Sequence, residues 1–216
     1  YRMVELSLDD LYKTYADRQA LQMRHPRLDR RGPPGTHDIE LGIAALDRLR
    51  REPHPQTPIL VPRFDKSLHG GQGDRVEPEP VGGADIILFE GWFVGVRPID
   101  PAAFAHPPAP IVTAADRAFA LEMNAALQDY LPLWERLDRL MVLHPIDYRL
   151  SQQWRLEAER KMAASGKPGM TDAQIEAFVT YFWQALHPEL FIEPLIQSGN
   201  NVDLVIRINS DRSWIF

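Results

Sequence analysis

Apolar positions along the chain follow two spacings, one of strands and one of helices. Val4, Leu6 and Leu8 alternate with polar neighbours, which predicts a short strand over 1–8 with Asp9-Asp10 where it ends. Residues 26–37, rich in Arg, Gly and Pro, read as a loop. Ile39, Ile43, Leu46 and Leu49 recur at helical spacing, with Asp38 placed to cap that helix and Pro53 to Pro58 to stop it. Ile59-Leu60-Val61 is a short apolar strand, and Phe64 to Gly83 is a polar, glycine-containing loop. Ile86-Ile87-Leu88-Phe89 is a continuous apolar run closed by Glu90-Gly91, the signature of a strand buried in a parallel sheet with a carboxylate at its C-terminal end.

After a proline-rich loop (Pro98 to Pro110), residues 114–143 read as helical, with Phe119, Met123, Leu127, Leu131 and Trp134 on one core-facing stripe. A charged helix over 150–163 is broken by Gly166-Lys167-Pro168-Gly169. Thr171 and Gln174 form a capping box for a helix through Phe182 and Leu186, His187-Pro188 bends the chain, and Val202 to Ile208 is a last strand. Strands alternating with helices predict a single α/β domain over 1–216 with a largely parallel sheet.

Composition narrows the chemistry. The formal net charge of -6 argues against nucleic acid as a partner but leaves room for a local Arg/Lys cluster that holds a small anion. With no cysteine there is no disulfide, thiolate metal site or Cys nucleophile. No run of eighteen apolar residues occurs, so no membrane-spanning helix is expected. The chain opens on Tyr1-Arg2-Met3-Val4, inside a strand and without an initiator Met, and reads as the interior of a longer protein. A cytoplasmic protein is expected, and nothing in the composition sets an oligomeric state.

Ligands of open parallel sheets bind beyond the C-terminal strand ends. Three such ends carry charge here: Asp9-Asp10, Asp65-Lys66 and Glu90. Carboxylates at neighbouring strand ends can hold Mg²⁺ or take a proton from a hydroxyl; acids there also cap following helices, but three charged ends together favour the chemical role. Gly70-Gly71-Gln72-Gly73-Asp74-Arg75 and Ser165-Gly166-Lys167-Pro168 both fail the phosphate-loop pattern, and no Gly-x-x-x-x-Gly-Lys-Ser/Thr run exists in the 216 residues. Arg155, Arg160 and Lys161 share one helix, which by itself reads as a solvated face with Glu157 and Glu159 as partners; Trp154 and the following glycines make a mobile lid the other reading. His25, His54 and His106 lie beside prolines without paired ligand spacing, which speaks against zinc. No Gly-x-Ser-x-Gly elbow supports a Ser/His/Asp hydrolase.

Leu6-Ser7-Leu8-Asp9-Asp10-Leu11-Tyr12 resembles the second-strand motif of the uridine kinase, phosphoribulokinase and pantothenate kinase group. Arg31-Gly32-Pro33-Pro34-Gly35-Thr36-His37-Asp38, Pro62-Arg63-Phe64-Asp65-Lys66-Ser67, Gly73-Asp74-Arg75 and Asp85 through Phe93 narrow the resemblance to the D-glycerate 3-kinases of plants and cyanobacteria. Trp154-Arg155-Leu156, Ala158-Glu159 and Gly169-Met170-Thr171-Asp172 agree with it. The resemblance implies a P-loop-type sheet and ATP- and Mg²⁺-dependent phosphorylation of D-glycerate to 3-phosphoglycerate, in photorespiratory salvage, in the cytoplasm or, in a plant, the chloroplast stroma. Other readings of the same fold are a kinase of another small alcohol, such as a nucleoside or pantothenate, or a non-catalytic relative. By resemblance, Asp9 activates the hydroxyl and helps position Mg²⁺, and Glu90 lies near the metal. Thr36, His37, Asp38, Asp65, Lys66, Asp74 and Arg75 line the acceptor site. Arg155, Arg160 and Lys161 belong to a lid over about 150–170, and Arg155 neutralises the transferring group. The family's P-loop precedes the strand that opens this chain, so the resemblance implies a sheet short of its central strand, and no activity from these residues alone.

Overall fold

The computed structural model describes residues 1–52, 54–164, 169–199 and 201–215. The expected helix break at Gly166-Lys167-Pro168 and the start of the stop at Pro53 lie outside the described residues. In chain order the elements are β1 (Met3–Ser7), a 3-10 turn (Leu8–Leu11), α1 (Tyr15–Arg24), α2 (Ile39–Arg51), β2 (Ile59–Asp65), the single turn α3 (Leu68–Gly71), β3 (Asp74–Val81) and β4 (Ile86–Glu90). After a 3-10 turn (Pro101–Ala105) come α4 (Ala114–Ala126), another 3-10 turn (Leu127–Tyr130), α5 (Leu131–Trp134), β5 (Met141–Pro145), α6 (Leu150–Ala164), α7 (Asp172–Ala185), α8 (Pro188–Gln197), β6 (Leu204–Ile208) and β7 (Trp214–Ile215). The chain divides into two compact units, 1–97 with 125–138, and 98–124 with 139–216.

In the first unit β1 and β4 pair in parallel, with Ser7 opposite Glu90 at their C-terminal ends. Val4 and Leu6 point inward and are buried with Leu8 and Leu11. α2 carries its apolar stripe as expected: Asp38 caps it by accepting from the Leu41 N–H, and Leu46 and Leu49 are buried. Leu127, Tyr130, Leu133 and Trp134 complete this core.

Three expectations need correction here. The 64–83 segment is no loop: β2 extends to Asp65 and β3 returns antiparallel to it, with Asp65 opposite Asp74. Its glycines supply the left-handed turn between them, at Gly70, Gly71 and Gly73, and the alternation of β3 is hidden because Glu77, Pro78, Glu79 and Pro80 carry no apolar face. β4 is not buried on both faces: Ile86 and Leu88 are 50% and 41% exposed, because pleating sends only Ile87 and Phe89 inward and only β1 pairs with this strand among the described residues. An apolar run specifies burial without specifying how many neighbours provide it.

In the second unit β5 and β6 are parallel, with Met141 opposite Leu204, and β7 adds antiparallel to β6. The helix expected over 114–143 is the third correction: α4 ends at Ala126, and Met141–Pro145 is a strand, its Val142 and Leu143 selected by pairing to Val205 and Ile206. Phe104 and Phe191 pack with ring centroids 6.1 Å apart, and Phe119, Ala120 and Met123 are buried. The Thr171/Gln174 capping box forms, and His187 caps α8 by accepting from the Glu189 N–H. The observed architecture is α/β with parallel pairs in both units and an antiparallel hairpin in the first.

Candidate active site

The site is built where β1 ends. Ser7 caps the following 3-10 turn in a capping box with Asp10. That turn gives the two adjacent acids different surroundings. Asp10 faces β2: its carboxylate accepts from the Ser7 N–H, the Phe64 N–H at 3.2 Å and the Arg63 guanidinium at 3.1 Å. Asp9 takes other partners. Its Oδ2 lies 2.6 Å from Lys66 Nζ, and its Oδ1 accepts from the Tyr12 hydroxyl at 2.7 Å. Burial alone raises the Asp9 pKa, but the Lys66 ammonium and the Tyr12 hydroxyl outweigh it and hold the carboxyl below its usual range.

Tyr12 organises the rest. It bridges to His37 along the backbone, its ring stacks on the His37 imidazole at 4.6 Å, and Lys13 Nζ donates to the His37 carbonyl at 2.7 Å. Arg75 donates to the Tyr12 carbonyl at 2.9 Å and to the Asp38 carboxylate at 2.7 Å. Opposing the effect of burial, that guanidinium and the Leu41 N–H hold Asp38 below the usual carboxylate range. His37 is buried, with Nδ1 2.7 Å from the Tyr130 hydroxyl and Nε2 without a partner among the described residues. A polar hydrogen buried without an acceptor costs about 1–3 kcal/mol. Burial pushes the imidazole pKa down to about 3 against the pull of Asp9, so the ring is neutral.

The structure thus brings Asp9, Lys66, His37, Asp38 and Arg75 together around Tyr12. Other expected residues sit in the loops that frame them. Thr36 is buried, donates to the Pro33 carbonyl and accepts from the Gly32 N–H, and so shapes the loop before His37. Asp65 accepts from both the backbone and the hydroxyl of Ser67. Asp74 accepts from the Tyr15 N–H and contacts His69 at 3.1 Å. Glu90 ends β4 beside Ser7, its carboxylate exposed.

Arg155, Arg160 and Lys161 lie on α6 in the other unit. Arg155 pairs with the buried Glu159 at 2.7 Å and stacks over Phe178, Arg160 pairs with Asp172 at 2.9 Å, and Lys161 is exposed. The Met170 N–H also donates to Glu159, tying the segment after the helix back onto it.

Sequence reading missed Arg18, Lys13 and Tyr130. Arg18 is buried and donates to the carbonyls of Lys13, Gln72 and Gly73, clamping the hairpin turn to the site. A buried arginine carries no local signal, and Tyr130 is 93 residues from the histidine it meets.

Among the described residues no group of three or more His, Asp or Glu side chains converges. No helix among the described residues is long and apolar enough to cross a membrane.

No protein-family model matches the chain. It is 32% identical over 95% of its length to the chloroplastic D-glycerate 3-kinase of Arabidopsis thaliana, and it spans 45% of that protein, less than half. It is 30% identical over 96% of its length to the probable ATP-dependent kinase TDA10 of Saccharomyces cerevisiae, spanning 73% of it. The solved D-glycerate 3-kinase of Cryptococcus neoformans superposes on the whole chain with a TM-score of 0.83 at 30% identity, and 79% of that structure is covered. Similarity in sequence and in fold runs over nearly the whole chain, and the chain belongs to the D-glycerate 3-kinase family, a family of kinases.

Proposed function

We propose that the protein containing this chain transfers the γ-phosphoryl group of ATP to the 3-hydroxyl of D-glycerate, with Asp9 receiving the hydroxyl proton. The observation that carries this reading is the Asp9 carboxylate, held ionised by Lys66 and Tyr12 at the end of a parallel strand. An ionised carboxylate beyond such a strand end orients an alcohol by accepting its hydrogen bond, and takes the proton as the new P–O bond forms and the bond to the leaving diphosphate oxygen breaks. A weakly basic carboxylate suffices because the transition state is loose and the proton leaves late.

Lys66, Lys13 and Arg75 surround the site and favour an acceptor that carries a carboxylate, as glycerate does. Mg²⁺ would be held by Glu90 and Asp9, neutralising phosphate charge. The lid role of Arg155, Arg160 and Lys161 belongs to the same reading and requires the first two to exchange Glu159 and Asp172 for phosphate. The 216 residues hold no phosphate-loop run, so by themselves they are expected to show no turnover.

The test is ADP release by the full-length protein with ATP, Mg²⁺ and a panel of D-glycerate, a nucleoside and pantothenate. Turnover with D-glycerate alone is expected. Preferred turnover of the nucleoside or pantothenate overturns the acceptor assignment, and no turnover of any acceptor overturns the kinase activity.

A further inference from the structure

We infer that Tyr130 is a positioning residue: its hydroxyl donates to His37 Nδ1, fixes the ring as the neutral Nε2–H tautomer, and so keeps one hydrogen-bond donor ready for an oxygen of the alcohol substrate. The substrate clause rests on the function proposed above; the tautomer does not.

Hydrogen-bond accounting at Tyr130 decides the tautomer. The phenol is buried and its oxygen accepts the Gly35 N–H at 2.9 Å. His37 Nδ1 lies 2.7 Å from the same oxygen. A phenol has one proton to give. If the imidazole donated from Nδ1, the oxygen would receive two N–H groups while its own buried proton had nowhere to go. If the phenol donates, the Gly35 N–H, the phenol proton and the Nδ1 lone pair are all used. Nδ1 is then the acceptor, and the proton of the neutral ring sits on Nε2. The buried Nε2, the atom without a partner among the described residues, is thus a donor.

Tyr12 stacks on the His37 ring and Phe93 meets it edge-on at 5.7 Å, while the hydroxyl of Tyr12 is bonded to Asp9. One aromatic ring therefore links the unused donor to the carboxylate assigned to the reacting hydroxyl. A donor and an acceptor joined in this way suit a small molecule that carries a hydroxyl beside another oxygen. Tyr130 also makes this arrangement without touching the acid itself, so it acts through His37.

The test uses the full-length protein with ring-¹⁵N histidine, the His37 signals being assigned by their loss in His37→Gln. A protonated-nitrogen shift at Nε2 and an unprotonated one at Nδ1 are expected. Tyr130→Phe, which removes only the hydroxyl, should populate the Nδ1–H form and raise the KM for D-glycerate about tenfold, the effect of one misplaced hydrogen bond, with a smaller change in kcat. An Nδ1–H ring in the unmodified protein, or an unchanged tautomer in Tyr130→Phe, overturns the assignment. Should Tyr130→Phe fail to fold, the spectrum of the unmodified protein still decides. A changed tautomer with unchanged KM overturns the substrate contact and leaves the kinase reading intact. Absence of turnover of any acceptor with the Nε2–H ring in place overturns the kinase reading and leaves the tautomer set by Tyr130 intact.

Discussion

Asp9 and Asp10 are neighbours in the chain with separate tasks. Asp10 spends its oxygens on backbone and on Arg63, tying the turn to β2, whereas Asp9 keeps a carboxylate at the site between Lys66 and Tyr12. Asp9→Asn is expected to lower kcat by about 10²–10⁴ with little loss of stability, checked by steady-state kinetics beside a urea melt. Asp10→Ala is expected to do the reverse, costing about 1–2 kcal/mol through the lost cap and the unpaired Arg63. Equal effects of both substitutions on kcat would deny the division of labour. His37 adds a pH dependence. Its unfolded imidazole titrates near 6.5 and its folded one at about 3, so the unfolded chain binds the extra proton between those values and stability falls as pH drops through that window. His187, also lowered by burial, acts in the same direction. Asp9, with its lowered pKa, contributes stability that is lost only below about pH 3.8. His37→Gln should therefore remove about 1.4 kcal/mol per pH unit from the slope of stability between pH 6 and 4, measured by denaturant midpoints; an unaltered slope would mean that the ring stays protonated in the fold.

At the scale of elements, the turn end of the β2–β3 hairpin presents the cationic side of the site, Lys66 just after β2 and Arg75 at the start of β3. Gly73 closes it at φ +73°, where an added Cβ would meet the Phe64 ring and the Asp65 carbonyl. Gly73→Ala is expected to displace Asp74 and Arg75 and raise the KM of the acceptor several-fold, with a lower melting temperature, since both the left-handed backbone and the space are lost. Kinetics together with thermal melts check this, and an unaffected KM would show that the hairpin does not set the acceptor site. The hairpin escaped the sequence because its return strand alternates acids with prolines. Charged residues at strand ends were legible, since alternation marks where a strand stops. Asp38 as a helix cap was legible for the same local reason.

At the scale of the molecule, each unit has its own core. In the second unit Phe104 and Phe191 are each 2% exposed and pack on one another. Phe104→Ala is expected to cost about 3–5 kcal/mol and to leave the KM of the protein that remains folded unchanged, as read by calorimetry and kinetics. A stability change under about 1 kcal/mol would place this ring outside the core. The sequence by itself determined the strand that leads into Asp9-Asp10, the capped helix after Asp38, the acid that ends β4 and the family, because these rest on local periodicity, capping and short motifs. Only the tertiary structure decided which partners each of the adjacent acids takes, that Phe64 to Gly83 turns back as a hairpin, that Met141 to Pro145 is a strand, and that Tyr130 meets His37 across 93 residues. Those outcomes depend on pairing and burial between segments far apart in the chain, which local spacing does not encode.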